Sequence, residues 1–353
     1  MNKKTRFFVL SALAVALGLT VPKSALGQNS NTSRRPANKI LAHALDIATG
    51  RAQRQPHEQV VSSGVLYTLL VASGEIDRRA DGVHGRTNSV LNTPASASGG
   101  CPNVYEGGGV RNVRVNQDCS LRRQAEEVIA INPTNSDNLI VGQNDSRIGF
   151  NHCGYDFSFD GGKTWADQLP PFYQFINKDG VTFDACSDPT ATFDSVGNAY
   201  VGGVLFEVFF ADSAFLVTKS NAPIGGAFYH TPRPLSFQTY RANPPGVVAN
   251  DNDPNVFNDK EFIVADATSG SPKANNVYAT WTRFSVAAAG HSPIYFSQST
   301  DGGATWSTGI EISGANAAIC TAFSGEVNPF ACDQDQGSHP VVGPRRDSLR
   351  CLL

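Results

Sequence analysis

The chain writes one eight-residue pattern twice, and that repeat restricts what it can fold into. The first copy is Ser158-Phe159-Asp160-Gly161-Gly162-Lys163-Thr164-Trp165 and the second is Ser299-Thr300-Asp301-Gly302-Gly303-Ala304-Thr305-Trp306. They agree at six of eight positions and lie 141 residues apart. Each follows a short alternating run, Tyr155 to Ser158 and Ile294 to Ser297. Asp-Gly-Gly between β-favouring residues predicts a tight hairpin, because glycine enters positive φ without a Cβ clash. The Asp carboxylate can bond N–H groups two residues on, with Ser and Thr hydroxyls in support. Trp is large enough to plug the turn. Two such turns at this distance predict a repeat architecture.

The frame of a repeat unit recurs three times. Glu126–Pro133 leads to Asn138–Gly142, Asp188–Asp194 to Asn198–Gly202, and Lys260–Asp266 to Asn276–Thr280. Each is a polar start, an apolar strand, an Asn/Asp/Gly turn and a second apolar strand. The strands are almost continuously apolar, so burial on both faces is expected. Glu126 precedes the first box by 32 residues, and 32 residues after Asp188 stands Ser220, which opens a degraded box over Ser220–Phe228. A fourth unit starts at Asp335–Pro344, and Arg345–Leu353 then shows no strand pattern and no turn. Open sheet edges would invite self-association. The sequence reads as a truncated or frame-shifted member of a longer family, or as a ring completed by oligomerisation or by the N-terminal extension.

The duplicated pattern resembles the Asp-box, or BNR repeat, of sialidase-type β-propellers. The matching residues are Ser158, Asp160, Gly162, Thr164 and Trp165, then Ser299, Asp301, Gly303, Thr305 and Trp306. The resemblance implies an all-β propeller of about three blades and the start of a fourth. It also implies that the boxes are structural turns on the face opposite the active site. In that family an arginine triad holds the sialic carboxylate, a Tyr assisted by Glu is the nucleophile and an Asp is the acid/base. The family's Arg-Ile-Pro motif is absent here; the nearest fragment is Arg147-Ile148-Gly149.

In a propeller the start of each inner strand and the loop after the second strand share the central face. The first set is Glu126, Glu127, Asp188, Asp259, Lys260, Glu261 and His339; the second is Asn144, Asp145, Arg147, Glu207 and Arg283. Carboxylates with two arginines suit an anionic or sugar ligand, through forked Arg–carboxylate contacts and paired acids. Arg147, Asp145, Asp188, Glu207, Glu261 and Arg283 are the catalytic candidates, each weighed against a plain cap or salt bridge. Asp251, Asp253, Asn255 and Asp259 offer clustered oxygens for calcium, but Val256 and Phe262 stand where an EF-hand loop needs Gly and Glu. A polar turn is the other reading.

Residues 1–27 read as a secretory signal peptide: Lys3, Lys4 and Arg6, an apolar stretch from Phe7 to Leu19, then Ala25-Leu26-Gly27. A membrane anchor is the other reading; after cleavage no membrane span is expected. A secreted, extracellular or periplasmic chain with seven cysteines predicts disulfides. Proximity pairs Cys101 with Cys119, Cys153 with Cys186 and Cys320 with Cys332, leaving Cys351. A net charge of −3 gives no footprint for nucleic acid. No Gly-x-Ser-x-Gly or phosphate loop is present.

Residues 28–100 form an N-terminal extension or pro-segment, expected to pack loosely. Ala37 to Arg54 has helical spacing with Gly50 as its stop, Val60 to Ala72 is one strand or a short helix, and residues 92–100 are linker-like. Residues 101–344 are the blades and 345–353 a tail. Two functions follow. One is an exported, non-catalytic propeller that binds a glycan or protein ligand, a glycoprotein among them, on its central face. The other is an exo-α-sialidase-like glycoside hydrolase acting on surface glycans.

Overall fold

The computed structural model describes residues 34–55, 58–76, 104–107, 110–116, 122–147, 150–169, 175, 180, 182–222, 225–227, 244–286, 292–314, 335–343 and 349–352. Two α-helices come first, α1 (Lys39–Ala48) and α2 (Ser63–Ala72), then a short hairpin, β1 (Val104–Gly107) and β2 (Val110–Val113). Three four-stranded antiparallel sheets follow, each in simple chain order. The first is β3 (Gln124–Ile131), β4 (Leu139–Asp145), β5 (His152–Ser158) and β6 (Ala166–Gln168). The second is β7 (Ala185–Phe193), β8 (Ala199–Phe206), β9 (Ser213–Ser220) and β10 (Gly246–Asp251). The third is β11 (Val256–Ala265), β12 (Val277–Ser285), β13 (Ile294–Ser299) and β14 (Ile310–Glu311). A hairpin of β15 (His339–Val342) and β16 (Leu349–Leu352) ends the described chain. The first strands lie side by side, β3 against β7, β7 against β11 and β11 against β15. This is the all-β, propeller-type arrangement of radiating blades, and the described strands form no closed barrel.

The two boxes join the third and fourth strands of their blades and share one hydrogen-bond pattern. Asp160 accepts from the Thr164 N–H at 2.9 Å and from its hydroxyl at 2.6 Å, while the Ser158 hydroxyl donates to Asp160 and accepts from the Gly162 N–H, both at 2.9 Å. In the second copy the Thr305 N–H and hydroxyl reach Asp301 at 2.9 and 2.6 Å, and Ser299 bonds Asp301 and the Gly303 N–H at 2.8 Å. The indole N–H of Trp165 and of Trp306 donates to the Gly162 and Gly303 carbonyls. Gly161, Gly162, Gly302 and Gly303 all have φ between 71° and 83°, which is why the glycines are required. The degraded box keeps one bond: the Gly226 N–H donates to Ser220 Oγ at 3.0 Å. Register fixes the faces. Gln124, Asp145 and His152 align at one end of the first blade, and Ile131, Leu139 and Ser158 at the other, where the box sits.

Three expectations need correction. The extension is not loosely packed at α1 and α2. Leu41, Leu45, Val65 and Leu69 are each 2% exposed or less and belong to the main core with Val204, Phe206, Phe257 and Trp281. At about 1.5–3 kcal/mol per side chain, those four contribute on the order of 10 kcal/mol before entropy. The Asn38 side chain caps α1 by accepting from the N–H groups of Ile40 and Leu41. Of the run from Val60 to Ala72, Ser63–Ala72 is helix α2, capped by Ser62, so the short helix and not the strand is formed. Second, β3 is not buried on both faces: Ile129 and Ile131 are 61% and 58% exposed, because among the described residues no blade covers their side. Third, Leu349–Leu352, where the sequence shows no strand, pairs with β15; four residues are too few to reveal an alternation.

Cys153 and Cys186 form a disulfide, with Cα atoms 5.3 Å apart. It ties β5 of the first blade to β7 of the second. Cys101, Cys119, Cys320 and Cys332 lie outside the described residues, as does the signal-like segment. Among the described residues no helix is long and apolar enough to cross a membrane.

Candidate functional site

Three non-glycine residues adopt left-handed backbone at the same place in three blades: Glu126 (φ 58°), Asp188 (φ 55°) and Lys260 (φ 52°). Each sits in a break of register between the first and second strands, between Ala125 and Val128, Ser187 and Thr190, and Asp259 and Phe262. Such bulges re-aim a side chain, and left-handed backbone costs an L-residue about 1–2 kcal/mol. Repeated strain at equivalent positions marks a functional candidate. The three side chains meet: Lys260 Nζ donates to Glu126 Oε1 at 2.6 Å and to Asp188 Oδ1 at 2.9 Å. Asn144 braces the cluster, donating from Nδ2 to Glu126 Oε2 and accepting from the Asp188 N–H at 3.0 Å. Ser187 Oγ donates to Glu126 Oε2 at 3.3 Å.

Asp259 and Glu261, both essentially inaccessible, stand around this centre. Three carboxyls, Glu126, Asp188 and Asp259, thus share one ammonium, and Glu261 feels the charges of Asp188 and Asp259. Burial opposes ionisation of Glu126, but hydrogen bonding with Asp188, the charge and hydrogen bond of Lys260, and Ser63 outweigh it and hold Glu126 at about 2. Burial lowers Lys260, and the charges of Asp188, Asp259 and Glu126 overcome it and raise it. Asp188 is driven well above the usual carboxylate range by burial and then by the charges of Asp259 and Glu126. Glu261 is driven well above it by burial and then by Asp188. Burial also raises Asp259, against the pull of Lys260. Ionisation in the cluster is therefore favoured at Glu126 and Lys260 and disfavoured at Asp188, Asp259 and Glu261. Among the described residues both oxygens of Glu261, Asp188 Oδ2 and Asp259 Oδ1 lack a hydrogen bond of good geometry, and the Val204 N–H reaches Glu261 only loosely.

Helix α2 ends on this cluster. The Ser62 N–H donates to Asp259 Oδ2 at 2.6 Å. The Ser63 N–H and hydroxyl donate to Glu126 Oε1 at 3.1 and 2.9 Å. Ser62 Oγ lies 3.2 Å from Ser187 Oγ, and Arg123 donates to Ser63 Oγ at 3.0 Å. Ser62, Ser63, Arg123 and Ser187 are missing from the sequence-derived set; Ser before an apolar run could have marked Ser62 and Ser63 as a helix cap, and no local signal marks Arg123 or Ser187.

The other candidates go elsewhere. Arg147 pairs with Asp145 at 2.6 Å and with Asp167, both of its own blade. Arg283 pairs with Asp251 of the neighbouring blade at 2.8 Å and lies over the Tyr295 ring. Glu207 is buried just past β8, where its N–H donates to the Asp212 carbonyl at 3.0 Å. Glu127 lines a cleft of about 660 Å³ on the uncovered side of β3, with Arg114, Arg122, Gln124 and Gln143. His339 packs on the Phe262 ring at 5.1 Å between centroids. Of the calcium candidates, Asp251 also accepts from Asn258, Asp253 accepts from Asn255 at 2.9 and 2.7 Å, and Asn255 accepts from Lys39 at 2.7 Å. Asp259 belongs to the central cluster.

No known protein family matches the sequence, and no curated protein matches it. Solved structures resemble it at low identity. An α-L-arabinanase from Penicillium chrysogenum, complexed with arabinobiose, is 11% identical over 58% of this chain and 56% of its own, with a TM-score of 0.36. A glycosyl hydrolase from Bacteroides ovatus is 13% identical over 53% and 48%, with a TM-score of 0.28. A protein of unknown function from Dyadobacter fermentans is 13% identical over 53% and 68%, with a TM-score of 0.25. The chain spans about half the length of the arabinanase and the glycosyl hydrolase. The propeller-type fold of this chain rests on its own three sheets.

Proposed function

We propose that this is an exported, sialidase-like Asp-box propeller protein that binds a glycan or glycoprotein on its central face and does not hydrolyse it. The observation that carries the reading is the convergence of Glu126, Asp188 and Lys260 from three blades, each on left-handed backbone. A charged carboxylate accepts hydroxyls, a proton-holding carboxyl donates to ring or glycosidic oxygens, and Lys260 supplies a further donor. That mixture suits a polyhydroxylated ligand. Arg147 and Arg283 are held by Asp145, Asp167 and Asp251, which supports binding over sialidase-type hydrolysis, since that chemistry needs guanidinium groups on the ligand's carboxylate. The test is a glycan array probed with the purified chain beside a fluorogenic sialoside assay. Binding that Glu126→Gln abolishes, with no turnover above an Arg147→Ala control, is expected. Turnover well above that control would establish the hydrolase instead, and an array empty for the wild type and for the opened variant described next would remove the glycan reading.

A further inference from the structure

The first turn of α2 presents to the central cluster the same chemistry that a sugar would present. Two main-chain N–H groups and one hydroxyl, from Ser62 and Ser63, occupy Asp259 Oδ2 and Glu126 Oε1. We infer that residues 62–64 are an internal ligand mimic, a cap seated in the binding site that a polyhydroxylated ligand displaces; this rests on the central face being the ligand site.

The anchoring of the helix shows which part moves. Beyond Gly64, Val65 and Leu69 are 0% and 1% exposed in the main core. That portion stays, because leaving would uncover apolar surface with no compensation. The first turn instead makes mostly polar contacts, to Asp259, Glu126, Ser187 and Arg123. On its N-terminal side Val61, 4% exposed, is anchored in the main core and Val60 is held through its carbonyl by Gln336 Nε2 at 2.7 Å, so the displaceable stretch is Ser62 to Gly64. Opening without a replacement would take the Ser62 N–H from Asp259 Oδ2 and two donors from Glu126 Oε1, leaving the latter to Lys260 alone, which is costly. Opening onto a ligand exchanges one set of donors for another and is close to balanced. The cap therefore selects for ligands with at least two neighbouring hydroxyls, enough to serve both acids.

Gly64 gives the handle. A β-carbon there would run into Asn144 Nδ2 and Ser187 Oγ, and Asn144 is fully buried and fixed by Glu126 and Asp188. Gly64→Val should force the turn off the cluster while Val65 onward remains docked. The full chain and this variant are labelled with carbodiimide and glycine ethyl ester, and modified carboxyls are counted by mass spectrometry. Labelling of Glu126 and Asp259 should rise about tenfold or more, as local opening requires, with Asp301 on the opposite face unchanged. A folded Gly64→Val chain whose Glu126 and Asp259 stay shielded overturns the cap. Should that variant not fold, Ser63→Pro, which removes both the N–H and the hydroxyl that bond Glu126 at a first helical position that tolerates proline and keeps every apolar anchor, decides by the same labelling, and no increase at Glu126 there also overturns it. The glycan array separates the two readings. Increased labelling with no glycan bound removes the ligand and leaves a hinged turn, and glycan binding with unchanged labelling removes the cap and leaves the ligand.

Discussion

Asp156 offers the most quantitative test of the electrostatics. It lies on β5 between Tyr155 and Phe157, fully buried, and neither of its oxygens has a hydrogen bond of good geometry. Burial, then the charge of Asp167, push it up to about 8 against the pull of Gln143 and Arg147, and Asp145 adds to the rise. The unfolded chain releases this proton near pH 4, so folding takes up a proton between about pH 4 and 8. The native state holds more protons than the unfolded one in that window, and stability falls as pH rises through it. At about 1.4 kcal/mol per unit, the penalty is roughly 4 kcal/mol at pH 7 and levels off above pH 8. Asp156→Asn removes the titration and keeps the shape. The variant should match the wild type near pH 4 and exceed it by roughly 4 kcal/mol at pH 7, about 10 °C in Tm. Urea and thermal unfolding of both proteins from pH 4.5 to 9 measure this. Asp188, Asp259 and Glu261 slope the same way, so the decisive quantity is the difference between the two curves. A difference that stays flat from pH 5 to 8, or an Asn variant less stable at pH 8, refutes the argument.

Lys260→Met leaves Glu126 buried without its ammonium and should cost about 3–5 kcal/mol. Glu126 has a lowered pKa in the native state, so the loss should be full above about pH 5 and fade toward pH 2; a pH-independent deficit in urea unfolding would contradict it. Replacing Cys153 and Cys186 by Ala removes a crosslink over 33 residues. Chain entropy puts the loss at about 4 kcal/mol, and an unmoved urea midpoint would mean that the blade contacts already fix that distance.

The blades were legible because their signals are local. Asp-Gly-Gly turns and two apolar strands fit within about 40 residues, and the polar starts of the three units named Glu126, Asp188 and Lys260 in advance. Their convergence was not legible, since it depends on bulges that shift β3, β7 and β11 by the same amount. The arginines misled for a related reason. Arg147 and Arg283 stand at the expected loop positions, but Asp167 and Asp251, which hold them, lie on outer strands, and nothing in a one-dimensional pattern joins them. Asp156 was missed because an acid in an alternating strand reads as solvent-facing. The role of α2 was hidden because a short apolar run fits a strand or a buried helix equally well, and its partners Asp259 and Glu126 lie 197 and 63 residues away.

Those separations bear on how the chain comes into being. A nascent chain emerges N-terminus first, so α1 and α2 leave the ribosome before anything they rest on exists. Asn38 bonds the carbonyl of Val256, 218 residues later, and Lys39 that of Pro254. At about 5–20 residues per second, that gap is roughly 10–40 s of synthesis. Throughout it Leu41, Leu45, Val65 and Leu69 have no finished surface to cover them. Helices made early thus wait on a strand that begins 218 residues after Asn38, and the core closes only when β11 reaches back to them.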